Sequence, residues 1–210
     1  MRYVGNVSTG RMALELARAA LRRRHRVTLF LADSVAAPRS RARIRRFVSA
    51  GDLRDALRAA APSPDLILHA AAVSDYAPSA VRGKVESGRA RWQVELRPLP
   101  KIVAELRRRH PRAILCMFKL ESGIGRPELV RRALAAGRKA GADLVFANRM
   151  EEVGKTGSEH RGLLIDPAAP RAADATIAAT KTRAEAARAI VAHGATRAAR
   201  AANATAGAAA

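Results

Sequence analysis

Four polar or flexible residues crowd the start of the chain. Asn6, Ser8, Thr9 and Gly10, in the stretch MRYVGNVSTGRMALEL, run straight into an amphipathic pattern. The free N–H groups and dipole at the start of a helix favour an anion, Gly10 permits close backbone approach, and the hydroxyls add donors. The same residues equally suit an ordinary Ser or Thr helix cap. A second set lies in SDYAPSAVRGKVESG, where Asp75 and Lys84 share a loop with Pro78 and Gly83. A loop lysine is a mobile point charge suited to a phosphate or a developing oxyanion, and the bland alternative is two solvated charges. Asn148 ends ADLVFANR, placed to read a base edge or to cap the next turn. Phe118 alternates with Cys116 and Ile114 in AILCMFKLE, as core or as a stacking platform for a base.

These residues need elements to position them, and the pattern along the chain alternates. Helical periodicity covers 9–24, with Met12, Leu16 and Ala20 on one face, and recurs at 51–61, 99–109, 127–140 and 181–193. Strand-like runs fall at 26–32, 45–50, 65–73, 91–98, 113–121 and 142–149, and GLLIDP with DATIAAT reads as a terminal hairpin. Pro100 opens one helix, His110-Pro111 ends it, and Gly141 stops the next. Strands alternating with helices predict an α/β fold, a Rossmann-like, doubly wound and mainly parallel sheet flanked by helices. Ligands in such sheets sit beyond the C-terminal strand ends. That rule gathers SDYAP, KLES and ANR at one edge, where the Asn6–Gly10 loop can join them. Residues 1–194 read as one domain, and 195–210 as a low-complexity Ala-rich tail, frayed or weakly helical.

Composition removes several classes of function. No apolar run reaches the roughly 20 residues that span a bilayer. One cysteine, Cys116, excludes an internal disulfide framework and fits a reducing cytoplasm; mid-strand, it reads as a small buried apolar residue. The five histidines lack ligand spacing, so no metal site is expected. No Walker lysine loop, GxGxxG or Tyr-x-x-x-Lys occurs. The formal charge of +21 points either to an anionic partner or to arginines filling solvated faces. Arginine is spread through most helices and aromatics make up only 3 %, which disfavours nucleic acid.

Taken in order, RYVGNVSTGRMA, RVTLF, AAAVSDYAP, GKVESG, FKLES, ADLVFANR and KTRAEAARAI resemble the phosphopantothenate–cysteine ligase (phosphopantothenoylcysteine synthetase) family over roughly residues 2–190. The FKLES and KVESG forms are similar to the stand-alone eukaryotic-type enzyme. The resemblance implies a coenzyme A biosynthesis ligase with Mg²⁺ and CTP or ATP as co-substrate. 4′-Phosphopantothenate is activated as an acyl-nucleotide, and L-cysteine then forms the amide. It further implies that Asn6 holds the acyl intermediate and that Ser8 and Gly10 cradle the triphosphate. Ala71, Ala72 and Asp75 would contact phosphopantothenate or nucleotide, Lys84 would cover the intermediate from a flap, and Phe118 and Asn148 would form the base and ribose pocket. A homodimer is implied, with RWQVELRP and the flap facing the partner, and no FMN. Ala13 stands where the family commonly has glycine, so a methyl is expected against the phosphates or the helix–sheet contact. The family's first strand, ending in a Gly-Gly-Thr-like turn, has no counterpart before the loop, so an exposed sheet edge is expected.

Overall fold

The computed structural model describes residues 8–60, 63–79, 83, 88, 90–154 and 159–207. In chain order the elements are α1 (Arg11–Arg22), β1 (Thr28–Ala32), β2 (Arg43–Phe47), α2 (Ala50–Arg58), β3 (Leu66–His69), β4 (Tyr76–Pro78), β5 (Leu96–Pro98), α3 (Ile102–Arg109), β6 (Ile114–Glu121), α4 (Arg126–Ala140), β7 (Leu144–Arg149), β8 (Glu159–Ile165), β9 (Thr176–Thr182) and α5 (Arg183–Gly207). Local chemistry marks several of the boundaries. Ser49 and Asp52 close a reciprocal capping box on α2, while α4 starts with Pro127 in its first turn and stops at Gly141 in the left-handed region (φ 63°).

A five-stranded sheet runs in the order β3-β6-β7-β8-β9, parallel through β7 and antiparallel beyond it. Alternation along the strands sends side chains to two cores. On one face Cys116, Phe118, Leu144, Phe146 and Leu164 pack under α1 and α5, against Leu16, Ala20, Ala187 and Ile190. On the other, Val145, Ala147 and Ile165 meet Leu129, Ala133 and Leu134 of α4. The doubly wound α/β reading therefore holds, with helices on both sheet faces.

The first two strands form a separate parallel pair. Phe30 of β1 and Ile67 of β3 nevertheless pack in one cluster with Leu53, Ile102 and Leu106 of α2 and α3. Among the described residues no strand pairs with the second edge of β1 or with the outer edge of β3. Among those residues the sheet is interrupted there.

Three expectations need correction. The strand read over 65–73 ends at His69, because Ala70 N–H turns back to the Leu68 carbonyl and Val73 N–H to that of Ala71, curling the chain off the sheet. Of 91–98 only Leu96–Pro98 is strand; it pairs antiparallel with Tyr76–Pro78, which lies in what reads as loop, and that partner is three residues long. The last helix does not stop near 193 but continues to Gly207. Ala198 packs against the α1–α5 core, and the Arg197 guanidinium donates to the Asp143 carbonyl at 2.8 Å and to Asp166 Oδ2 at 2.5 Å. The tail through residue 207 is thus a helix, and its inner turns belong to the domain.

Candidate functional site

The loop before α1 is not a side-chain cap. Gly10 itself is the N-cap, at φ 66°, and no Ser or Thr hydroxyl bonds to the first turn. Ser8 and Thr9 are exposed. Among the described residues no side chain caps the first-turn N–H groups of α1, at the end of the helix that favours an anion. A Cβ at Gly10 would meet Val35 at 2.9 Å, so the close approach that demands glycine is to the β1–β2 loop as well as a matter of φ. Ala13 packs its methyl with Leu29, Leu31 and Val35, accommodated in the helix–sheet contact.

Phe118 and Asn148 share the α1–α5 face near the C-terminal strand ends, where Phe118 pairs in register with Phe146 and Leu120 with Asn148. Phe118 is half-buried, its ring 5.6 Å from Phe146 and tilted by 52°. Phe146 is fully buried and stacks at 5.9 Å and 11° on His160. Asn148 is only 5 % exposed, yet its amide has no side-chain hydrogen bond among the described residues. Phe118, Asn148 and the α1 N-terminus therefore belong to one face and one edge.

The remaining described candidates pack in another cluster or face solvent. Ala71 packs with Val73 in the cluster under α2 and α3, and Ala72 is exposed. Asp75 is exposed and held by Lys101 Nζ at 2.5 Å, while its carbonyl accepts from Leu99 N–H at 2.8 Å. Asn6 and Lys84 lie outside the described residues.

Sequence reasoning missed two residues here. Lys101 reads only as a first-turn residue of the helix at 99–109, and its ion pair spans 26 positions. His160 falls outside the strand as read from Gly162, whereas β8 begins at Glu159. Extending the alternation of Gly162 and Leu164 back by one step would have put His160 on the core face. Burial and then the nearby Arg183 push its pKa down to about 4, so the ring is neutral at pH 7. Around the rim, Arg149 donates to Glu152 at 2.8 Å and to the Ile124 carbonyl at 3.2 Å, and Glu151 accepts from Gly123 N–H at 2.7 Å. These bonds pin the turn after β7 to the β6–α4 loop. Cys116 is fully buried and its thiol is pushed up to about 12 by burial, as suits an inert core residue.

Residues 1–197 match the family model described as the DNA/pantothenate metabolism flavoprotein C-terminal domain. The chain belongs to that family. This agrees with the resemblance carried by the ordered motifs. The coenzyme A biosynthesis bifunctional protein CoaBC of Thermococcus kodakarensis is 30 % identical over 169 residues, 76 % of this chain and 40 % of that protein. The CoaBC protein of Bacillus subtilis is 30 % identical over 156 residues, 73 % of this chain and 37 % of its own length. The chain thus spans about two fifths of these curated relatives. Among solved structures, the DNA/pantothenate metabolism flavoprotein from Streptococcus pneumoniae superimposes with a TM-score of 0.76 at 22 % identity, covering 89 % of this chain and 87 % of that one. A Cab2 mutant in complex with phosphopantothenate-cysteine gives 0.73 at 15 % identity, covering 95 % and 82 %. At those identities the two structures speak for the fold.

Proposed function

We propose that this chain carries the ligase step of coenzyme A biosynthesis that joins 4′-phosphopantothenate to L-cysteine. The observation that carries the reading is the meeting, on one face of a sheet of this family, of the α1 N-terminus with Gly10 at its cap, the half-buried Phe118 and Asn148. In the first step the phosphopantothenate carboxylate attacks the α-phosphate of CTP or ATP, giving an acyl-nucleotide and pyrophosphate. In the second the cysteine amine attacks the acyl carbon, loses a proton and displaces the nucleoside monophosphate. Activation supplies the leaving group, and positioning with charge stabilisation supplies the rest.

In this reading the N–H groups after Gly10, with Ser8, hold the triphosphate. Phe118 stacks on the base, and Asn148 bonds to base or ribose. Asn6 holds the acyl intermediate and Lys84 neutralises its charge. Ala71, Ala72 and Asp75 meet phosphopantothenate, Asp75 with its carboxylate oriented by Lys101. Among the described residues no three His, Cys, Asp or Glu side chains group to hold a metal, so the assigned Mg²⁺ travels with the triphosphate. A homodimer is supported by the exposed Tyr76, Trp92, Val94 and Leu96 on and beside the β4–β5 ribbon, since such a two-stranded ribbon is marginal alone. No helix among the described residues is long and apolar enough to cross a membrane. A cytoplasmic enzyme without FMN completes the proposal.

The test is pyrophosphate release measured with CTP and with ATP, each with and without phosphopantothenate. Release must need both substrates, and amide must form on adding cysteine. Lys84→Gln should slow turnover with the circular dichroism unchanged. The interruption of the sheet among the described residues favours one second reading, a relative that binds nucleotide without turning it over. Calorimetric nucleotide binding with no pyrophosphate from either nucleotide would select it.

A further inference from the structure

The fold gathers arginines that lie far apart in the sequence. Helix α1 finishes in Arg22 and is followed by Arg23, Arg24, His25 and Arg26 before β1, all of them exposed. Helix α3 finishes in Arg107, Arg108 and Arg109, followed by His110 and Arg112 before β6. Arg109 donates to the Arg58 carbonyl, so α2 and α3 end side by side. Helix α2 starts just beyond β2 and α3 ends just before β6, so β2 and its parallel neighbour β1 run the same way as β6. The turns into β1 and β6 therefore share the N-terminal edge of the strands, opposite Phe118 and Asn148.

Arg107 is used within the fold, on Asp143 and on the carbonyls of Ala113 and Gly141. Arg22, Arg23, Arg24, Arg26, Arg108 and Arg112 have no carboxylate partner among the described residues. The acids of this edge are engaged elsewhere, Asp143 by Arg107 and Asp166 by Arg197, and Asp65 at the start of β3 is exposed. Cations do favour a helix C-terminus, but that effect fades within the last turn. It does not account for Arg26 or Arg112, which lie beyond their helices. Arg24 is the most telling. It sits in the left-handed region (φ 62°), where His25 N–H closes back on the Ala20 carbonyl and glycine is usual. After α4 that conformation falls to Gly141 (φ 63°). The chain keeps a charge where its backbone favours no side chain.

No large apolar side chain accompanies these arginines. Among the described residues the exposed ones lie on or beside the β4–β5 ribbon, just after β2, and at the C-terminal ends of β6 and β7. A protein partner needs an apolar anchor, a single strand needs aromatic platforms, and stable membrane anchoring needs an inserted apolar group. Guanidiniums alone suit the phosphates of a duplex, held without reading its bases.

We infer that the N-terminal edge of the strands, through residues 22–26 and 108–112, docks on the phosphate backbone of a nucleic-acid duplex. The docking is independent of base sequence and leaves the Phe118–Asn148 edge open.

The experiment measures binding of the whole chain to DNA duplexes of about 20 base pairs, in unrelated sequences, by fluorescence anisotropy from about 50 to about 200 mM salt. The wild type should bind the sequences within about twofold of one another and lose roughly 10³-fold in affinity over that range. Arg26→Ala with Arg112→Ala should lower the slope of log K against log salt by about two, and Arg24→Gly by about one. Arg24→Gly should also raise the Tm of the free protein by about 2–4 °C, a combination that a purely structural arginine would not give. Arg188→Ala removes an equal charge from the exposed side of α5 and should leave the slope unchanged. An equal loss from Arg188→Ala would assign the binding to net charge and overturn the inference. No duplex binding at about 50 mM salt, or binding only to vesicles of phosphatidylserine and phosphatidylcholine, would overturn it too. If the double variant does not fold, Arg24→Gly against Arg188→Ala decides by the same comparison.

Discussion

Gly162→Ala adds one methyl at the tightest point beneath the site. An ideal Cβ there would lie 2.3 Å from Phe146 Cζ, 2.8 Å from Cε1 and 3.0 Å from the Ala147 carbonyl oxygen. Carbon atoms rest at about 3.5–4.0 Å, so the ring must retreat by roughly 1 Å or more. It has little room, being fully buried between Phe118 at 5.6 Å and His160 at 5.9 Å. Overpacking of this kind costs about 1–3 kcal/mol, and the stiffer unfolded chain returns about 0.4–1 kcal/mol. The net loss of about 1–2 kcal/mol lowers Tm by about 2–8 °C in a chain of this size. Urea and thermal unfolding followed by circular dichroism measure it. Adding Phe146→Leu removes the clashing ring, so the double variant should lose at least about 0.5 kcal/mol less than the two single losses added. A Gly162→Ala protein that melts within about 1 °C of wild type, or strictly additive losses, would refute the packing argument.

Gly10→Ala forces a Cβ into the left-handed region and against Val35, and should cost about 1–3 kcal/mol by urea unfolding, with Val35→Ala recovering only the steric part. The pKa values of His69 and His160 are both held down to about 4, by burial alone and by burial with Arg183 respectively. Each is neutral in the fold and charged in the unfolded chain between about pH 4 and 6.5, so the unfolded state binds more protons there and stability falls with falling pH, by up to about 1.4 kcal/mol per unit for each. Melting across that window should show the slope, and His69→Gln or His160→Gln should flatten it. Truncation after Gly194 removes Arg197 and Ala198 with the bonds to Asp143 and Asp166, and should cost about 2–4 kcal/mol in urea. An unchanged midpoint would return residues 195–207 to the status of an appendage.

Much of the framework was legible because its signals are local. His110-Pro111 and Gly141 mark helix ends by chemistry that acts within one turn. The continuous apolar runs 113–118 and 144–147 are buried strands whatever surrounds them. The length of α5 was not legible in the same way. An alanine-rich tail has high helix propensity but no apolar stripe, and what holds its inner turns is Asp166, 31 positions away. The lengths of β3 and β5 likewise depended on where neighbouring backbone offered an edge.

For the site, the sequence by itself determined which residue types reach the C-terminal strand ends, since a parallel α/β sheet brings every such loop to one edge. It left open whether Ser8, Thr9 and Gly10 cap a helix or await a ligand, and whether Phe118 is core or platform. Tertiary structure decided how those residues are grouped. It put Gly10 at the cap with no hydroxyl bonded, set Phe118 and Asn148 on the α1–α5 face, and drew Asp75 aside to Lys101. It also stacked His160 on Phe146 across neighbouring strands. The physical reason is that spacing within one element follows from its period, whereas contact between elements follows from packing, which no single segment encodes.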